Sequence, residues 1–112
     1  MDKLNKYQEI IQDIFEEYAK DVTPANMEQI ENQLIMDKER NHYQLVRVGW
    51  EKGLFVHQLV FHLDIKNEKV WIQRNWTDMD IAEELMEKGV ERKDIVIGFI
   101  PAHERIYTGY AA

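Results

Sequence analysis

The residues of this chain that come closest to a catalytic pattern are Asp64 and Lys66, an Asp-x-Lys tripeptide at a strand end, with Asp37 some way upstream. Metal-dependent nucleases use two carboxylates to hold Mg²⁺ and a lysine to stabilise the attacking water. The same residues have an ordinary reading. Asp64, Lys66, Asn67, Glu68 and Lys69 are the types found in solvated hairpin turns, and a tripeptide this short arises often by chance. The turn reading is preferred, and a Mg²⁺-dependent nuclease using Asp64 and Lys66 stands as the alternative.

The four histidines are His42, His57, His62 and His103. Zinc ligands fall four apart on a helix or in tight groups. His57 and His62 lie five apart in one strand, and alternation sends their side chains to opposite faces. No metal site is therefore expected, and these histidines read as strand or turn residues with local hydrogen bonds. Serine and cysteine are both absent, which removes the commonest nucleophiles together with disulfides and thiolate-bound zinc. The five glycines are scattered and make no phosphate-binding loop. No catalytic residue, metal ligand or cofactor is assigned.

Charge narrows the choice of partner. The chain has 112 residues and a net charge of −7, with acids outnumbering bases 11 to 7 in residues 1–56 and 10 to 7 in residues 57–112. Nucleic-acid backbones call for clustered Lys and Arg, so direct DNA binding is disfavoured. Contact with a protein is the better expectation. Asp78, Asp80, Glu83, Glu84 and Glu87 face a single Lys88 over one segment, which is a solvated face by default and a docking surface for a basic partner as the sharper reading. Arg74 and Trp76 stand just before it, and both are residue types that dominate interface energetics. Strand alternation also puts apolar residues on both faces of the sheet, with Leu45, Val60 and Trp71 as candidates for self-association into a homo-oligomer. The C-terminal tail is the other candidate cover for that face, since Tyr107 and Tyr110 suggest that it packs against something.

These residues must be held by a small set of elements. Leu4, Tyr7, Ile11, Ile14 and Tyr18 recur at spacings of three and four, predicting a helix over 2–20, capped by Asp2 and stopped by Val22-Thr23-Pro24. From Met27 to Gln73 the period becomes two, interrupted by short charged or Gly-containing turns at 37–41, 51–53 and 66–68, which predicts an antiparallel meander of four strands. A second helix over about 78–88 follows, capped by Thr77 or Asp78 and ended by Gly89. Ile95 to Ile100 reads as a buried strand closed by Pro101. Helix, four strands, helix, strand gives one two-layer α+β domain spanning 1–112, with both helices on one face of an antiparallel sheet. The hydrophobic fraction of 45% is enough for one core. The start of the chain has no apolar signal region, and no apolar run approaches the ~20 residues of a membrane helix. A cytoplasmic protein is expected.

Several separated blocks, in order and at consistent spacing, carry a family resemblance. Gln33-Leu34-Ile35-Met36-Asp37-Lys38-Glu39-Arg40-Asn41-His42-Tyr43-Gln44-Leu45, then Val48-Gly49-Trp50, His62-Leu63-Asp64-Ile65-Lys66, Val70-Trp71-Ile72-Gln73 and Ile81-Ala82-Glu83-Glu84-Leu85 are followed by Lys93-Asp94-Ile95-Val96 and Tyr107-Thr108-Gly109. Over nearly its whole length the chain resembles the XisI family. That family is named for controlling excision of the fdxN DNA element during heterocyst differentiation in filamentous cyanobacteria. The resemblance implies a non-enzymatic accessory factor that works with a companion protein, XisH, to license a separate recombinase. It supplies no catalytic residues to carry over. The chain departs from the usual pattern at Trp76, where glycine is expected, and at Arg74 and Ile100, both often histidine.

Overall fold

The computed structural model describes residues 2–21 and 29–112. The first helix, α1 (Lys3–Asp21), starts where Asp2 accepts a hydrogen bond from the Asn5 N–H at 2.8 Å, satisfying one of the orphan donors of the first turn. Its buried stripe is Tyr7, Ile10, Ile11, Ile14, Phe15 and Tyr18. The expected stop at Val22-Thr23-Pro24 and the expected onset of period two at Met27 both lie outside the described residues.

Four antiparallel strands follow in a meander, β1 (Ile30–Asp37), β2 (His42–Glu51), β3 (Leu54–Lys66) and β4 (Lys69–Asn75). The helix α2 (Ile81–Lys88) then crosses over to β5 (Ile95–Ile97), which lies beside β4 in sheet order 1-2-3-4-5. β5 runs parallel to β4, so the sheet is mixed rather than wholly antiparallel. A helix between the two strands is what returns the chain to run in the same direction. The strand stops at Ile97, short of the expected Ile100. The cap of α2 is Asp80, whose carboxylate accepts from the Glu83 N–H, instead of Thr77 or Asp78. Thr77 is held elsewhere: its hydroxyl donates to the Asn75 side chain at 2.6 Å and accepts from the Met79 N–H. Gly89 ends α2 in the left-handed conformation, as the sequence predicts.

Both helices pack on one face in a single apolar cluster, joined by Tyr43, Leu45, Val60, Phe61, Leu63, Ile65, Val70, Ile72 and Ile95 from the sheet. Leu45 and Val60 therefore belong to the core under the helices. They are fully buried and cannot meet a second copy, which corrects their assignment as self-association residues. The reason is partly a β-bulge. Leu45 pairs with Phe61, but Val46 pairs with Leu59, so Val60 is the extra residue and both Val60 and Phe61 turn inward. Below the bulge the alternation of β3 is inverted relative to a simple count.

Beyond β5, a 3₁₀ helix (Ala102–Tyr107) leads to a parallel bridge between Val96 and Ala111. The tail is thus seated beside the sheet. Tyr110 packs against the core cluster, whereas Tyr107 is 84% exposed.

Candidate functional site

The bulge has a chemical consequence on the other face of the sheet, away from the helices. A ladder without it, running up from the Glu51–Leu54 pair, would set His42 opposite Leu63; with it, His42 lies opposite Asp64. His62 is two residues before Asp64 and so shares its face. The His42 Nδ1 lies 2.8 Å and the His62 Nε2 2.9 Å from the same oxygen, Oδ1 of Asp64. The second oxygen, Oδ2, accepts from Gln73 Nε2 at 3.1 Å. Gln73 reaches it because β4 has its own bulge: His62 pairs with Arg74 and Leu63 with Ile72, leaving Gln73 as the extra residue. Asp64 is 5% exposed, while His42 stands at the open side of the cluster with about half of its side chain in solvent.

Burial pushes the Asp64 carboxyl up, but hydrogen bonds from His42, Gln73 and His62 more than offset this and hold it below the usual carboxylate range. The site is therefore a buried carboxylate with two imidazoles and one amide aimed at it. His42, His62 and Asp64 also form a compact group of metal-ligating atoms, all within 4.8 Å of one another. Sequence reasoning missed this group because it tested His57 with His62. The bulge in fact puts these two on the same face, and separation along the strand, not opposite facing, keeps them apart. The signal that could have found it is the His62-x-Asp64 alternation combined with a histidine on the neighbouring strand.

The residues of the Asp-x-Lys pattern each have other contacts. Lys66 lies over the Trp71 ring, its ammonium 5.0 Å from the ring centroid, and Arg105 from the tail lies over the same ring at 5.0 Å. Asp37 instead closes its own turn, accepting from the Glu39 and Arg40 N–H groups and pairing with the Arg40 side chain. Trp71, the third self-association candidate, does face away from the helices, but part of its surface is taken by these two cations. The outer face and hairpin tip expose Ile35, Trp50 and Phe55.

The candidate partner residues lie elsewhere. Trp76 is 59% exposed, with the Arg74 guanidinium 4.7 Å from its ring centroid. Arg74 also donates through Nε to the Leu59 carbonyl, which fixes the pair in place. Glu83 and Glu87 are exposed on α2, Glu84 is half-buried, and Asp80 is occupied as the helix cap.

A five-stranded, mostly antiparallel sheet covered by helices on one face makes this an α+β protein. The chain belongs to the XisI family, described as XisI protein, whose family model matches residues 1–112. Among solved structures it is similar to a XisI-like protein from Anabaena variabilis ATCC 29413, with 44% identity, a TM-score of 0.90, and coverage of 97% of this chain and 98% of that one. It is also similar to the fdxN element excision controlling factor XisI from the same organism, with 31% identity, a TM-score of 0.82, and 98% of each chain covered. No curated protein matches the chain. No helix among the described residues is long and apolar enough to cross a membrane.

Proposed function

We propose that this chain is a non-enzymatic accessory factor that controls excision of a DNA element through contacts with another protein, of the XisH type, rather than by touching DNA. The observation that carries the reading is the full-length match to XisI structures, one of them named as an excision controlling factor. The charge of −7 supports a protein partner over a nucleic-acid one. We take Arg74, Trp76 and the exposed acids of α2 as the contact surface. An aromatic held outward by a fixed guanidinium is the kind of anchor that binding energy concentrates on.

The test is paired. Trp76→Gly and the double variant Glu83→Lys/Glu87→Lys are expected to keep their thermal stability while losing affinity for the XisH-type partner, by up to a few kcal/mol for the tryptophan. Their excision activity in cells deleted for the native gene should fall in step. Unchanged affinity in both variants would move the contact surface elsewhere. Excision that proceeds normally without the gene would remove the regulatory role itself.

The nuclease alternative requires DNA cleavage in Mg²⁺, and the accessory role requires none. With Lys66 held on Trp71 and Asp37 tied into its turn, purified protein is expected to leave supercoiled DNA intact in Mg²⁺. Cleavage that disappears in Asp64→Ala would promote the nuclease.

A further inference from the structure

We propose that His42, His62 and Asp64 form a binding site for a divalent transition-metal ion of the zinc class. This goes beyond the accessory role and does not depend on it. The three donor atoms already converge: two ring nitrogens contact one carboxylate oxygen at 2.8 and 2.9 Å. Tetrahedral zinc, with bonds of about 2.0–2.1 Å, sets its ligand atoms about 3.3 Å apart. Opening these two contacts by roughly half an ångström, and bringing the two ring nitrogens, which lie within 4.8 Å of each other, to the same spacing, admits the ion through side-chain rotation on the paired strands. The ion takes the place of the hydrogens that now bridge these atoms; each ring changes tautomer, so that its one hydrogen moves to the nitrogen facing away from Asp64 and the nitrogen facing it is free to bind the ion.

The support around the ligands is that of a built site. His42 and Asp64 are direct partners in the β2–β3 ladder, and His62 is on the same strand as Asp64, so paired backbone sets their spacing. Gln73 holds the free oxygen of Asp64 and thereby fixes the carboxylate plane, the job of an outer ligand shell. The nearby cations Lys66 and Arg105 lie on the Trp71 ring. Among the described residues the two histidines are the only ion-pair partners of Asp64. Two imidazoles and one carboxylate suit zinc, nickel or copper and are wrong for Mg²⁺, which prefers oxygen ligands and keeps its waters. The exposed side of His42 leaves a fourth coordination position open to water or to a side chain from outside.

The experiment uses the full chain without an affinity tag, titrated with Zn²⁺ by calorimetry and with Co²⁺ by visible absorption. One ion per chain is expected, with micromolar or tighter Zn²⁺ binding and the d–d bands of low-coordinate cobalt, both insensitive to millimolar Mg²⁺. His42→Ala is the safest variant because that side chain is half-exposed, and it should weaken Zn²⁺ binding at least about 10-fold; His62→Ala should do the same. Gln73→Ala should cost about 10-fold through the second oxygen of Asp64. His57→Ala, on the same face but outside the cluster, should leave binding unchanged. Circular dichroism establishes that each variant is folded. No saturable Zn²⁺ binding, binding that survives both His42→Ala and His62→Ala, or equal loss in His57→Ala would each overturn the site.

Discussion

Phe61→Ala is expected to destabilise the protein by about 3–5 kcal/mol, the usual range for removing a fully buried phenylalanine. Phe61 is wholly buried where the bulge of β3 meets α1. Its ring stacks on Phe15 with centroids 5.5 Å apart and meets the edge of Tyr18 at 4.9 Å. Truncation removes both contacts and leaves a void between the helix and the sheet, and the rigid ladder on either side limits collapse into it. For a domain whose whole stability is about 5–15 kcal/mol, the loss is a large fraction. Thermal unfolding should show a midpoint lowered by more than about 10 °C. Phe55→Ala is the control: it sits exposed at the hairpin tip against Trp50, and its change should stay within about 0.5 kcal/mol. Similar effects from the two would mean that Phe61 does not carry the helix–sheet contact.

The second large effect concerns Asp94, a buried carboxylate beneath α1. The Tyr7 hydroxyl donates to its Oδ2 at 2.5 Å, and the Lys3 ammonium lies 3.1 Å from the same oxygen. Burial pushes the carboxyl up, but Tyr7 and Lys3 pull it further down, so it ionises below the usual carboxylate range. Burial and the bond to Asp94 push the Tyr7 phenol the other way, to about 12. The two shifts agree on one state, an anionic Asp94 accepting from a neutral Tyr7. For a carboxyl whose folded value is depressed, the stabilisation is complete above its unfolded value of about 3.9 and is lost as pH falls through the folded value. Asp64 is shifted in the same direction and adds to the acid limb. Tyr7 adds an alkaline limb: its contribution is present below about pH 10 and lost as pH rises through about 12. Asp94→Asn should cost about 1–3 kcal/mol at neutral pH and flatten the loss of stability below about pH 4. Denaturant unfolding from pH 3 to 7 measures both. An unchanged acid limb in the variant would show that Asp94 is not its source.

What the sequence made legible follows from what local pattern can encode. The stripe of α1, the Gly89 stop and the charged turns are set by neighbouring residues, and the structure has them where the spacing puts them. The cap of α2 moved to Asp80 because Thr77 is engaged by Asn75 and Met79, a competition among near neighbours that residue types alone do not rank. The bulges at Val60 and Gln73 were not legible, since no residue type announces them. Each shifts the register of a strand by one and so changes which residues share a face. That single shift explains why Val60 is in the core and why His42 meets Asp64. It also explains why the strongest chemical cluster of the protein escaped a count of alternating positions. The parallel pairing of β5 was hidden for another reason: strand direction depends on which way the crossover helix returns the chain.

The bond between Tyr7 and Asp94 joins residues 87 positions apart, near opposite ends of the chain. At about 5–20 residues per second of synthesis, several seconds separate the appearance of the two partners. The hairpins of the meander need only their own neighbours and form within that interval on a microsecond scale. Throughout it, α1 has emerged without the carboxylate that anchors its first turns, and its apolar stripe has only a partial sheet to lie on. The helix α1 is thus made well before it can be locked, and it waits for the segment just ahead of β5 to close over it.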